Sequence, residues 1–187
     1  EIMPSLVGSE MCIRDRHDAN RYLPEEVRKT LFSSCKKTFF LSDFHHNQFV
    51  ESYGNYFVNV EIVPDPIDSK IFRDLKEPRE EKILYAGFMH PFKGTDSFFS
   101  HVLENPDIEF VVAGWSSNDQ YMRNCNAFSN IDMLGKVDYE EMSALYNRYA
   151  KLFYKPVFYE PFCRCVAEAL LCGIEICLLY TSDAADE

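Results

Sequence analysis

From residue 82 onward, short apolar runs alternate with stretches whose apolar positions recur at helical spacing. Residues 82–86 (KILYA), 108–113 (IEFVVA), 131–134 (IDML) and 152–154 (LFY) read as buried strands. Between them, a loop over 87–94 opens a helix to 103, a polar helical stretch starts near 119, and a helix spans 139–149. A further helix runs from about 163 to 171. This alternation predicts an α/β fold with a Rossmann-like, doubly wound parallel sheet. Ligands of such sheets sit outside the carboxyl ends of the strands, near the point where strand order reverses. Upstream, the pattern predicts a helix over 24–34, a strand over 37–41 (KTFFL) and a helix capped by Ser42 through 50. Residues 58–63 (VNVEIV) alternate as a strand until Pro64 and Pro66 stop it, and 76–81 (KEPREE) reads as a charged linker.

Composition narrows the class. The chain has 187 residues, 47% hydrophobic and 26% charged, which excludes a disordered or collagen-like chain. No run of about 18 apolar residues predicts a spanning helix. The net charge of −11, with no basic stripe, disfavours nucleic acid as a partner. A single phosphate site stays open, because one lysine at a helix start outweighs distant, screened charge.

The ends need a separate reading. The segment Met11–Asp15 (MCIRD) back-translates to a DNA word whose opposite strand, in a shifted frame, encodes Cys177–Thr181 (CLLYT). Residues 1–16 and 177–187 therefore resemble translated transposase-type sequencing adapters, although a native tail remains the alternative. Without them, 24 acids and 17 bases remain, with Cys35, Cys125, Cys163, Cys165 and Cys172. An odd cysteine count with no secretory signal favours reduced thiols and a cytoplasmic setting. Cys163 and Cys165 form only a CxC and read as packing residues. His45, His46 and His90 lack further ligands at fixed spacing and read as surface or capping residues, so no metal site is expected.

Three loops at strand carboxyl ends carry unusual residues. In the first (GFMHPFKG), Gly87 and Gly94 allow close backbone approach and Lys93 precedes a helix, which suits a diphosphate; a turn with a solvated lysine is the alternative. In the second, Gly114 ends a strand where a planar group can lie, or serves the strand alone. In the third, Glu160 precedes a helix that contains Glu168, eight positions on, so both carboxylates can face one cleft. Carboxylates accept hydrogen bonds from vicinal hydroxyls, as sugars supply. Glu168 stands among apolar neighbours and needs a partner there. Two solvated helix acids are the alternative.

These residues, in this order, carry a family resemblance. The G-x5-KG loop, Gly114, Leu134-Gly135-x-Val137 with Leu145-Tyr146, and Glu160-Pro161-Phe162-x5-Glu168-Ala169-Leu170-x-Cys172-Gly173 resemble the donor-binding half of GT-B glycosyltransferases, specifically the retaining family four with its E-x7-E pattern. Phe40-Leu41-Ser42 and the run from Ile62 to Phe72 resemble the last acceptor-domain strand and the interdomain crossover. The implied layout is an acceptor-side remnant over 17–63, a crossover over 64–81 and an incomplete donor domain over 82–176.

The resemblance implies hexosyl transfer, with retention, from a nucleotide-diphosphate sugar to a glycan, lipid or small-molecule acceptor. No cofactor is implied beyond the donor. Lys93 would contact the diphosphate, backbone around Gly87 the phosphates, Glu168 the ribose and Glu160 the transferred sugar. The amides of Phe162 and Cys163 would lie nearby. Phe88 stands where the family usually has an arginine, and Arg164 is the candidate substitute. The fragment alone is expected to be inactive, and its missing half leaves room for peripheral membrane association. Two other readings stay open: a nucleotide-sugar epimerase on the same architecture, and a non-catalytic flavodoxin-like interaction module.

Overall fold

The computed structural model describes residues 24–157 and 160–177, in two compact units. The expected adapter segment 1–16, and residues 178–187 of the other, lie outside the described residues. The units divide between Pro66 and Ile67, inside the expected crossover, and residues 160–163 pack with the first unit.

The first unit holds α1 (Glu25–Ser34), β1 (Thr38–Phe40), α2 (Asp43–Tyr53) and β2 (Val60–Ile62), with β1 and β2 parallel. Ser42 caps α2 as its position predicts, its hydroxyl accepting from the His45 amide at 3.0 Å. Phe40, Phe49 and Phe57 pack edge to face around His45 and His46. His45 is accordingly buried, which corrects the expectation of a surface residue, and its Nδ1 accepts from the Leu41 amide at 3.3 Å just ahead of α2.

The second unit contains β3 (Glu80–Phe88), a 3₁₀ turn (Pro91–Lys93), α3 (Thr95–Glu104), β4 (Phe110–Trp115), α4 (Asp119–Ala127), β5 (Ile131–Gly135), α5 (Tyr139–Arg148), β6 (Tyr149–Phe153), α6 (Arg164–Leu171) and β7 (Glu175–Cys177). Its five strands are all parallel, in the order β5-β4-β3-β6-β7. Successive side chains of a strand face opposite sides. Ile83 and Tyr85 of β3 thus join Phe98, Phe99 and Val102 of α3 and Tyr121 and Cys125 of α4. Leu84 faces the other way, with Val111, Leu152, Tyr146 of α5 and Ala169 of α6. Helices cover both faces, as the alternation predicts.

Two boundaries differ from the sequence reading. β3 starts at Glu80, inside the segment expected as a linker, because Glu80 pairs with Tyr149 at the foot of β6. The short β7 was not expected; it pairs with β6 and includes Cys177, one residue past the expected donor-domain limit. Among the described residues, no helix is long and apolar enough to cross a membrane.

Candidate functional site

Strand order reverses between β3 and β6, so the crevice above their carboxyl ends is where a doubly wound sheet receives a ligand. The loop after β3 brings Lys93 there and the loop after β6 leads to α6. The two loops are joined by the Val157 amide, which donates to the Phe92 carbonyl at 3.0 Å.

The Lys93 turn is held from below. His90 caps it, its Nδ1 accepting from the Phe92 amide at 3.3 Å, as expected of a capping histidine. The buried Thr95 hydroxyl lies 2.9 Å from the Tyr85 hydroxyl and donates to the His90 carbonyl at 3.0 Å. Tyr85 on β3 therefore anchors the turn through Thr95, a link that no local motif announces. Gly94 follows Lys93 with φ +75°, and a Cβ there would lie 1.8 Å from the Lys155 carbonyl oxygen. Only glycine lets the turn and the β6 loop approach so closely.

Gly87 and Gly114 are register partners at the ends of β3 and β4. A Cβ on Gly114 would meet the Gly87 carbonyl oxygen at 2.1 Å, so strand packing alone requires glycine at 114. Gly87 is different. Its φ is +124° and the space beside its Cα is open, leaving the backbone accessible to an incoming group.

Glu168 is 5% exposed on α6. The partner its apolar setting demands is Arg164, one helical turn earlier, with Nη2 3.4 Å from Oε1. The same guanidinium donates to the Tyr139 hydroxyl at 3.1 Å and lies over that ring, 5.4 Å from its centre. Burial pushes the Glu168 carboxyl above the usual carboxylate range, opposed by Arg164 and by the Tyr139 hydroxyl. Glu168 is thus no solvated helix acid, and Arg164 is directed at Glu168 and Tyr139. Tyr139, at the start of α5, is a residue that sequence reasoning missed: it lies 25 positions from Arg164 and belongs to no recognisable spacing.

Glu160, Phe162 and Cys163 are half-buried in the segment that packs with the first unit. There the Pro161 carbonyl accepts from the Ser42 hydroxyl at 2.7 Å. Lys93, Gly87, Gly94, Gly114, Arg164 and Glu168 all belong to the second unit. Among the described residues, no group of three or more His, Cys, Asp or Glu is placed to hold a metal ion.

A five-stranded parallel sheet of this order lies in the part of the chain that matches a family of sugar-transferring enzymes. The family described as "Glycosyl transferases group 1" matches residues 67–179. The chain belongs to that family. Its fold is the GT-B Rossmann-like fold of solved glycosyltransferases. Sucrose-phosphate synthase from Thermosynechococcus elongatus superposes with a TM-score of 0.65 at 16% identity, over 81% of this chain and 42% of that one. A point mutant of S. aureus TarM, in a complex with fondaparinux, alpha-GlcNAc-glycerol and UDP, gives 0.65 at 14% identity, over 81% and 31%. Anabaena HepE with UDP and glucose gives 0.66 at 12% identity, over 84% and 49%. The group 1 chain described here thus spans less than half the length of each. No curated protein matches it.

Proposed function

We propose that this chain supplies the donor-binding part of a retaining hexosyltransferase, which takes a nucleotide-diphosphate sugar and passes its sugar to a glycan, lipid or small-molecule acceptor. The observation that carries the reading is Glu168: a buried carboxylate with a cationic and a hydroxyl partner, on the helix that follows β6 at the switch point. Ribose hydroxyls are suited to its remaining acceptor capacity. The Lys93 ammonium is the diphosphate contact, with Gly87 allowing the phosphates close to the backbone. Glu160 and the amides of Phe162 and Cys163 hold the transferred sugar and the group leaving it. In this mechanism, negative charge grows on the diphosphate as the sugar departs. Lys93 and the amino end of α6 are preorganised positive poles for that charge, so no metal is required. HepE and TarM, solved with UDP, support a nucleotide as the ligand of this fold. A reducing, cytoplasmic setting accords with the cysteine count.

The test is calorimetric titration of UDP, GDP and ADP in the presence of a chelator. One of them is expected to bind between millimolar and micromolar, about 4–8 kcal/mol. Lys93→Ala is expected to remove about 1.5–3 kcal/mol of that, the worth of a charge-assisted hydrogen bond. Equal heats for wild type and Lys93→Ala would withdraw lysine from the site. Binding that vanishes with the chelator would overturn the metal-free mechanism.

A further inference from the structure

Four aromatic rings run in a row across the carboxyl edge of β3 and β4. Trp115 meets Phe88 with centroids 4.7 Å apart, Phe88 stacks on His90 at 6.0 Å, and His90 meets Phe92 at 4.7 Å. Phe88 and Trp115 are register partners, so strand pairing fixes their separation. The ends of the row are open to solvent: Trp115 is 46% exposed and Phe92 45%.

A cavity of about 580 Å³ adjoins the row, with His90 contributing to both. Its lining mixes apolar Met89, Pro91 and Tyr121 with polar groups that include Asn118, Asp119 and Arg123. Part of it is already braced. Arg123 donates to the Gln120 side-chain oxygen at 3.0 Å, Gln120 donates to Asn124 at 2.7 Å, and the Ser116 hydroxyl donates to the Met89 carbonyl at 2.7 Å. The volume falls within the range of small-molecule sites, about 300–1,000 Å³.

Rings beside amide, carboxylate and guanidinium groups select a ligand with one apolar face and a polar rim. A pyranose is built that way: its C–H face lies on an aromatic ring, while its hydroxyls donate to a carboxylate and accept from an amide or guanidinium. A simple anion would face the Asp119 carboxylate, and a wholly apolar ligand would leave the lining unpaired. We infer that the row and the cavity form a sugar-binding subsite for a neutral hexose unit of a glycan. It adds to the proposed function a place for a second sugar, and sugar binding there does not depend on the nucleotide reading.

Trp115 is the only tryptophan of the chain, so indole emission reports on this row alone. The experiment titrates the full chain with maltose and with N,N′-diacetylchitobiose, following emission and saturation-transfer NMR, and measures UDP binding separately by calorimetry. At least one disaccharide is expected to give a saturable change that saturating UDP alters less than twofold. Phe88→Ala and Asp119→Ala are each expected to weaken it tenfold or more. Trp115→Phe keeps a ring, so it should lose the emission signal and retain saturation transfer. The proposal is overturned if neither disaccharide gives a saturable signal, if UDP displaces it, or if both alanine variants bind like wild type. Sugar binding without UDP binding would instead sink the nucleotide reading and leave this one standing.

Discussion

Two arginine-centred polar clusters in the second unit have similar contacts and differ in what they leave unsatisfied. Arg79 gives both ends of its guanidinium to backbone: Nη1 donates to the carbonyls of Tyr146 and Tyr149, and Nη2 to the Cys172 carbonyl at 2.5 Å. Nη2 also lies 3.4 Å from an Asp74 carboxylate oxygen. The acceptors are at the carboxyl ends of α5 and α6, where helix carbonyls lack partners and the dipole favours a cation. Arg164, by contrast, offers its guanidinium to a carboxylate and a phenol, and because a carboxylate has about four acceptor sites, Arg164 and Tyr139 leave Glu168 room for further donors. The first arrangement is closed and holds the fold together. The second is open and suited to a ligand.

The largest effect is expected where the closed cluster is broken. Arg79→Ala orphans carbonyls of two helix ends and should cost about 3 kcal/mol, since each net hydrogen bond to a charged group is worth about 1.5–3. Denaturant unfolding measures it. A loss under about 1 kcal/mol would erase the distinction between the clusters, because such small losses are typical of surface substitutions.

Next comes a buried polar group of the first unit, His45. Burial, with His46 beside it, pulls His45 down to about 4. Below its ordinary value the unfolded chain takes up a proton that the folded chain refuses, so stability falls as pH drops from about 6.5 toward 4. The expected loss is about 2 kcal/mol by pH 5. His45→Phe should flatten the dependence. A first unit equally stable at pH 5 and pH 7 would mean that His45 is solvated when folded.

The same contrast explains what was legible in the sequence. The strands of the second unit are apolar runs, so β3, β4, β5 and β6 were visible along with the parallel sheet. Glu168 was visible as a problem, a charge among Val166, Ala167, Ala169 and Leu170, whose answer had to be a partner. Which partner was less accessible: Arg164 is one turn away, but Tyr139 arrives from another helix. Arg79 was misread altogether. In KEPREE it looks like a solvated charge in a linker, and only the fold brings two helix ends to it. Gly94 likewise looked like a ligand loop, whereas its closest neighbour is the Lys155 backbone. β7 was invisible because three residues give no periodicity.

The smallest effect on stability separates the clusters most cleanly. Burial raises the Glu168 carboxyl, so the folded chain holds its proton more tightly than the unfolded one, and ionisation at neutral pH works against folding. Glu168→Gln removes that charge while keeping an acceptor for Arg164. Stability at pH 7 should therefore stay level or rise, the reverse of Arg79→Ala. Nucleotide affinity should fall about tenfold, about 1.4 kcal/mol, because a ribose hydroxyl loses a charged acceptor. Melting curves and calorimetry on one sample read both quantities. A variant that melts earlier and binds normally would make Glu168 a second Arg79, a group kept for the fold, and the ligand would have to be sought elsewhere along the carboxyl edge.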